Sequence, residues 1–305
     1  MCSKNNPDDV DQVLDEHPHQ IIKHEHLAAR RVNWQDKPQN LLALAEELNL
    51  GLDSFIFVDD SAHECAAVRH RFPEVEVVQV PTKPLLVPFC LETVARLEVL
   101  ALTAEDRAKT QLYAQERQRK QLQQAIGESG TQMEDYLISL QMAMRVGFDD
   151  GNQVARLAQL TQKTNQFNLT TRRYDEQQIR ALIEADDWLV SHFSLADIFG
   201  DSGIVGLALW RLMDSGQAEL DSLLMSCRVI GRRAEQAFLQ AQLEKLVAKG
   251  VHEIVADFIP TAKNAPVRDF LPEQGFRQGE DGRFRLDLRN GMPERAPIPI
   301  AVKVS

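Results

Sequence analysis

Long apolar runs are missing from this sequence. The longest, such as Ile204 to Trp210, fall far short of the roughly 18 residues that a membrane span requires, so no membrane contact is expected. The start, Met1-Cys2-Ser3-Lys4-Asn5-Asn6-Pro7, has no apolar stretch behind its lysine, which speaks against a secretory signal and for the cytoplasm. Cysteine is scarce as well. Cys2, Cys65, Cys90 and Cys227 are scattered with no CxxC spacing, which excludes a disulfide framework and any recognisable zinc site. Positive charge is in deficit. Lys+Arg 34 against Asp+Glu 45 gives a net charge of -11, which argues against wrapping nucleic acid and requires any anionic ligand to be held locally. What remains is 305 residues, 44% of them hydrophobic, enough for two cores in two domains.

Pro38 to Leu50 places Leu41, Leu44, Ala45 and Leu48 on one helical face, with Pro38 suited to the first position and Gly51 to the stop. Phe55 to Val58 reads as a buried strand, Ser61-Ala62-His63-Glu64 as a capping box, and Val75 to Val80 as another strand. Helix, strand, helix, strand is the pattern of a parallel α/β sheet. From Leu100 to about Gln132 a polar, Gln/Arg/Glu-rich helix follows, ended by Gly127 to Gly130. A second pattern begins with a strand near Met142 to Phe148, then helices near Val154 to Thr164 and Asp175 to Glu184. Strands near Trp188 to Phe193, Ile204 to Arg211 and Glu219 to Met225 precede a helix from Arg233 to Lys249. A strand from Glu253 to Phe258 and a short helix after Asn264 complete an α+β domain without internal repeats. The expected division is 1–98, a helical linker at 99–135, a second domain at 136–292 and a tail at 293–305.

Asp59-Asp60 directly follow an apolar strand, at the carboxyl edge where α/β sheets present side chains to ligand. Two adjacent carboxylates there suit Mg²⁺; they equally suit the start of the next helix. Lys37 falls at a helix N-terminus, where the dipole favours an anion, so a phosphate explains it better than helix stability does. His24-Glu25-His26 reads as solvated side chains rather than metal ligands.

Cys2-Ser3-Lys4-Asn5, Asn33-Trp34-Gln35-Asp36-Lys37 and Phe57-Val58-Asp59-Asp60-Ser61 together resemble the later motifs of haloacid dehalogenase-like phosphatases, in the version found in FkbH-like proteins. The resemblance implies a partial Rossmann-like parallel sheet. It implies that Ser3 holds the phosphoryl group, Lys37 neutralises it, and Asp59 with Asp60 binds Mg²⁺. Cys2 is a candidate carrier of an acyl thioester, or a plain terminal thiol. The family attacks phosphate with the first Asp of a D-x-D-x-T motif. That segment would lie upstream of Met1, so an N-terminally shortened phosphatase fold is expected. Asp9-Val10-Asp11 does not replace it, because it follows polar residues and lacks the hydroxyl.

Arg228-Val229-Ile230-Gly231-Arg232-Arg233 lies between a strand and a long helix and can receive a pyrophosphate on backbone N–H groups; it also reads as an ordinary Arg-rich helix start. It resembles the coenzyme A loop of GNAT acyltransferases, except that Arg233 replaces a small residue. Asn264 with Phe270 to Phe276 resembles that family's closing motif. Leu271 stands where a tyrosine proton donor is expected, which argues against ordinary acetyl transfer.

Leu160 to Tyr174 carries Lys163, Arg172 and Arg173, no acids, and donors such as Asn165. It reads as a phosphate or acidic-partner site, or as a helix end satisfying its own backbone. This stretch, Phe199 to Gly206, and Ile259 to Pro266 also resemble FkbH-like proteins, so the likeness runs from Cys2 to about Asp287. It implies transfer of a glyceryl unit from 1,3-bisphosphoglycerate, a phosphorylated three-carbon substrate, to the phosphopantetheine thiol of an acyl carrier protein for polyketide or related biosynthesis. Mg²⁺ and a phosphopantetheine or coenzyme A arm are the implied cofactors. Asn165, Arg228, Gly231, Arg232, Arg233 and Asn264 are the implied arm-binding residues, with Lys263 adding charge. The alternatives are a non-catalytic carrier-binding module and a stand-alone acyltransferase.

Overall fold

The computed structural model describes residues 1–48, 50–98, 109–128, 133–289, 291–292 and 299–304. The chain divides into two compact units, Met1–Arg117 and Gln118–Ser305. Of the expected linker, residues 99–108 and 129–132 lie outside the described residues, as do 293–298 and 305 of the expected tail.

The first unit runs β1 (Cys2–Ser3), α1 (Pro7–Glu16), β2 (Arg31–Val32), α2 (Lys37–Leu48), β3 (Ile56–Asp59), α3 (Ala62–Arg71) and β4 (Glu76–Gln79). β1 pairs in parallel with β2, and β3 with β4, so the expected parallel sheet is present as two two-stranded pieces. The apolar face of α2 is the one its spacing indicates: Leu41, Leu44 and Ala45 are buried. Leu41 joins Phe57, Cys65, Val68 and Val75 in the small core. β3 alternates, unlike the fully buried strand expected. Phe57 and Asp59 point inward while Val58 is 43% exposed, because successive strand residues face opposite sides. Turning Asp59 inward is what makes it available to Lys37. Ser61 caps α3 by accepting from the Glu64 N–H at 3.4 Å, but Glu64 returns no bond to complete a capping box. Its carboxylate instead accepts from Lys4 Nζ at 2.7 Å.

The helix α4 (Lys109–Glu128) carries the boundary between the units, and the second unit continues with α5 (Met133–Ser139), β5 (Met142–Phe148), α6 (Val154–Lys163), β6 (Phe167–Asn168) and α7 (Glu176–Glu184). A meander follows: β7 (Trp188–Asp197), β8 (Gly200–Leu212) and β9 (Gln217–Met225). Then come α8 (Ala234–Ala248), β10 (Glu253–Ala256), α9 (Phe270–Glu273), β11 (Arg277–Gln278), β12 (Phe284–Asp287) and β13 (Ile300–Val304). The sheet order is β11-β12-β10-β9-β8-β7-β5-β13, mixed in direction, with β6 added to β9. This is the α+β arrangement expected. One face packs Phe193, Trp210 and other side chains against Phe238 and Leu243 of α8; the other packs Leu207 and Leu209 against Leu157 of α6 and Ile179 of α7. Residues 300–304, expected as tail, form an edge strand parallel to β5, and Ile300 packs on the core.

β9 and β10 pair only from Gln217 to Leu220. Beyond that point the chain segment around β6 bridges the two sides. Phe167 and Asn168 pair with Met225 and Leu224, the Leu169 N–H reaches Leu223 O at 3.1 Å, and Leu169 O accepts from the Ile259 N–H at 2.8 Å.

Candidate functional site

β1, the start of α2 and the carboxyl end of β3 bring together three of the five residues expected to carry the chemistry: Cys2, Lys37 and Asp59. Lys37 Nζ meets Asp59 Oδ2 across 22 residues of sequence, in a pair whose side chains are 12% and 6% exposed. The other oxygen, Asp59 Oδ1, accepts from the Ser61 N–H at 2.9 Å, so the carboxylate is fixed by its own turn as well as by the lysine. Cys2 Sγ lies 3.9 Å from Lys37 O. Burial pushes the Cys2 thiol up from its ordinary pKa, and the Lys37 ammonium opposes that shift without cancelling it. Cys2 is therefore a thiol at neutral pH. Ser3 follows it on β1, half-buried, its carbonyl accepting from the Asn33 N–H at 3.1 Å. Asp60 is exposed beside Asp59.

The loop before α2 is held by an amide pair that sequence reasoning missed. Asn40 Nδ2 donates to Asn33 Oδ1 at 2.8 Å, and Asn33 Nδ2 donates back to Asn40 Oδ1 at 3.2 Å. Asn40 is buried, so the pair fixes the start of α2 and with it Lys37. Lys4 was also missed as a structural cation. It bridges Glu64 at 2.7 Å and Asp36 at 3.6 Å, tying the end of β1 to α3 and to the same loop.

Among the described residues no group of three or more His, Cys, Asp or Glu side chains is placed to hold a metal. Asp59 and Asp60 are hard oxygen donors, one of them exposed. That partial set fits Mg²⁺, which is commonly bound by one or two carboxylates with water and phosphate oxygens completing the shell. The ion would share Asp59 with Lys37.

In the second unit the six residues expected to bind a pantetheine or coenzyme A arm divide sharply. Asn264 is fully buried, with Nδ2 donating to Asn168 O and Ile259 O, both at 2.9 Å, and Oδ1 accepting from the Thr261 N–H at 2.7 Å. It locks β6 into the gap between β9 and β10. Arg232 is buried and donates to Arg228 O at 2.6 Å and to Asp197 at 3.3 Å, beside the Arg119–Asp197 pair. Arg233 reaches Glu134 at 3.5 Å, and Asn165 Oδ1 accepts from Arg173. Arg173 also donates to Thr164 O at 3.0 Å, so this end of α6 satisfies its own backbone. Arg228 and Gly231 are left less engaged. Arg228 Nη1 is buried with no hydrogen-bond partner, and Gly231 has φ +80 with open space where a Cβ would stand. Arg233 adopts the left-handed conformation, φ 58, which explains why a small residue suits that position. Leu271 is buried in the core.

No family model matches the chain, and no curated protein matches it. Solved structures do resemble parts of it. The N-terminal part of protein BF1531 from Bacteroides fragilis, described as containing a phosphatase domain complexed with Mg, is 31% identical, with 33% of this chain covered and a TM-score of 0.32. This chain spans only 27% of that structure's length. A ribosomal-protein-S18-alanine N-acetyltransferase from Escherichia coli is 14% identical, with 50% of this chain and 96% of that one covered and a TM-score of 0.37. Rv2747 from Mycobacterium tuberculosis, in complex with CoA and NLQ, is 15% identical, with 43% of this chain and 70% of that one covered and a TM-score of 0.32.

Proposed function

We propose that this chain binds a phosphorylated three-carbon acyl substrate at the carboxyl edge of β1 and β3 and serves its transfer to the phosphopantetheine thiol of an acyl carrier protein, as in FkbH-like proteins. The observation that carries this reading is the convergence of Cys2, Lys37 and Asp59, from three separate elements, around one largely buried ion pair. Lys37 would swing from Asp59 to the phosphoryl oxygens, with the Ser3 hydroxyl donating to them. Asp59 and Asp60 would hold Mg²⁺, which when bound neutralises phosphate charge. No D-x-D-x-T segment occurs in the 305 residues, so the proposal assigns this chain binding and acyl handling rather than phosphoryl attack. The test is to incubate the chain with an enzymatically generated acyl phosphate and a carrier bearing its phosphopantetheine arm. A phosphoglyceryl mass increase on the carrier, with inorganic phosphate released from the acyl phosphate and both lost in Lys37→Met, is expected; an unchanged carrier mass would contradict acyl handling.

A second reading, a non-catalytic carrier-docking module, is favoured by the second unit. Leu271 cannot donate a proton and β6 fills the gap between β9 and β10, so acetyl transfer there is unsupported. Arg228, Arg172 and Lys163 would then meet an acidic carrier surface. Carrier binding without a change in its mass distinguishes this reading from the first.

A further inference from the structure

Beside the candidate site, α3 borders a cleft of about 450 Å³, within the size range of small-molecule pockets. One wall is a single helical stripe, His63, Ala67, His70 and Arg71, whose spacing of four, three and one puts them on one face. Ala67 is the small residue between the two imidazoles along this stripe. The opposite wall comes from Lys4 and from Asp36 and Gln39 at the start of α2.

The buried acid of this cleft, Glu64, is paired with Lys4, which also lies near the exposed Asp36. Lys4 stands 2.7 Å from Glu64 and 3.6 Å from Asp36. The side chains of Gln39, His63, His70 and Arg71, by contrast, have no hydrogen-bond or ion-pair partner among the described residues. Arg71 makes only a ring contact, 5.7 Å from the Phe72 centroid. Helix electrostatics accounts for His70 and Arg71 in the last turn of α3, where cations suit the dipole. His63 stands in the first turn, the end that favours an anion. In a chain of net charge -11, a pocket of unpaired donors is where an anion would be drawn.

We infer that this cleft is an anion subsite, in which Arg71, His63 and His70 hold a second acidic group of the substrate whose phosphoryl group meets Lys37. The inference rests on the phosphoryl reading above and adds that the substrate carries two anionic ends. A guanidinium fork with two imidazoles matches the oxygens of an acyl phosphate, for which the carboxylate of 3-phosphoglycerate is a stable stand-in.

The test compares 3-phosphoglycerate with glycerol 3-phosphate, which lacks the carboxylate, by calorimetry and by the imidazole NMR signals of His63 and His70. The expected result is binding of 3-phosphoglycerate about tenfold tighter, with both imidazole signals shifting for that probe alone and Arg71→Gln bringing the two affinities together. Equal affinities in the unaltered chain, both weakened by Lys37→Met, would overturn the subsite and leave the phosphoryl reading standing. A preference lost in Arg71→Gln but untouched by Lys37→Met would support the cleft and overturn the phosphoryl reading. Imidazole signals that do not move for either probe would overturn the subsite.

Discussion

Lys37 and Asp59 form a largely buried ion pair that joins the start of α2 to the end of β3. Removing the lysine alone leaves a carboxylate, 6% exposed, without its cation. Lys37→Met is expected to destabilise the first unit by about 3 kcal/mol, and adding Asp59→Asn should recover most of that loss. Chemical denaturation of both variants checks this; a double variant as weak as the single one would contradict it.

Asn264 is assigned a locking role by its three hydrogen bonds. Asn264→Ala removes all three bonds and leaves the buried Asn168 O, with Ile259 O and the Thr261 N–H, without this partner. The expected cost is about 3 kcal/mol in the stability of the second unit. Unchanged denaturation with weakened coenzyme A binding would instead make it a ligand residue.

His192 lies across from Gly147, where a Cβ would come within 2.5 Å of the imidazole, and its Nδ1 is buried without a partner. Burial pulls its pKa below the ordinary value, and Asp150 opposes that shift only in part. The unfolded chain therefore takes the proton first. Stability held by the neutral imidazole is complete above about pH 6.5 and declines as pH falls through that value, by at most about 1.4 kcal/mol per pH unit. Denaturation midpoints at pH 7.5 and 5.5 should show this decline, and His192→Gln should flatten it.

Arg233 holds a left-handed conformation at the start of α8. Arg233→Gly is expected to stabilise the second unit by about 0.5 kcal/mol, the relief of strain being offset in part by glycine's greater freedom when unfolded. Thermal unfolding of that variant gives the sign directly; a loss of stability would assign real weight to the Arg233–Glu134 contact.

Periodicity and punctuation in the sequence located most of the longer helices and strands, because apolar spacing reports directly on which face is buried; α1, α5, β12 and the two-residue strands were not located. Leu41, Leu44 and Ala45 on α2, and the strands at 142–148 and 188–193, were legible in this way. The edge strand at 300–304 was not, since Val302 and Val304 are exposed and its partner lies far back at 142–146. Lys37 and Asp59 were legible from their positions at element ends. Lys4–Glu64 and Asn33–Asn40 were not, because polar pairing across 60 residues, or between two asparagines in a loop and a helix, leaves no local pattern. Asn264 and Arg232 carried a motif-like signal, and both make internal hydrogen bonds that the motif alone did not disclose.

The most direct measurement is calorimetric titration of glycerol 3-phosphate, with Mg²⁺ present, into the unaltered chain and into the Lys37→Met/Asp59→Asn variant, each shown to be folded by circular dichroism. Saturable binding to the first and none to the second is the predicted result. Equal binding to both, or none to either, would contradict a phosphoryl site at the Lys37–Asp59 pair.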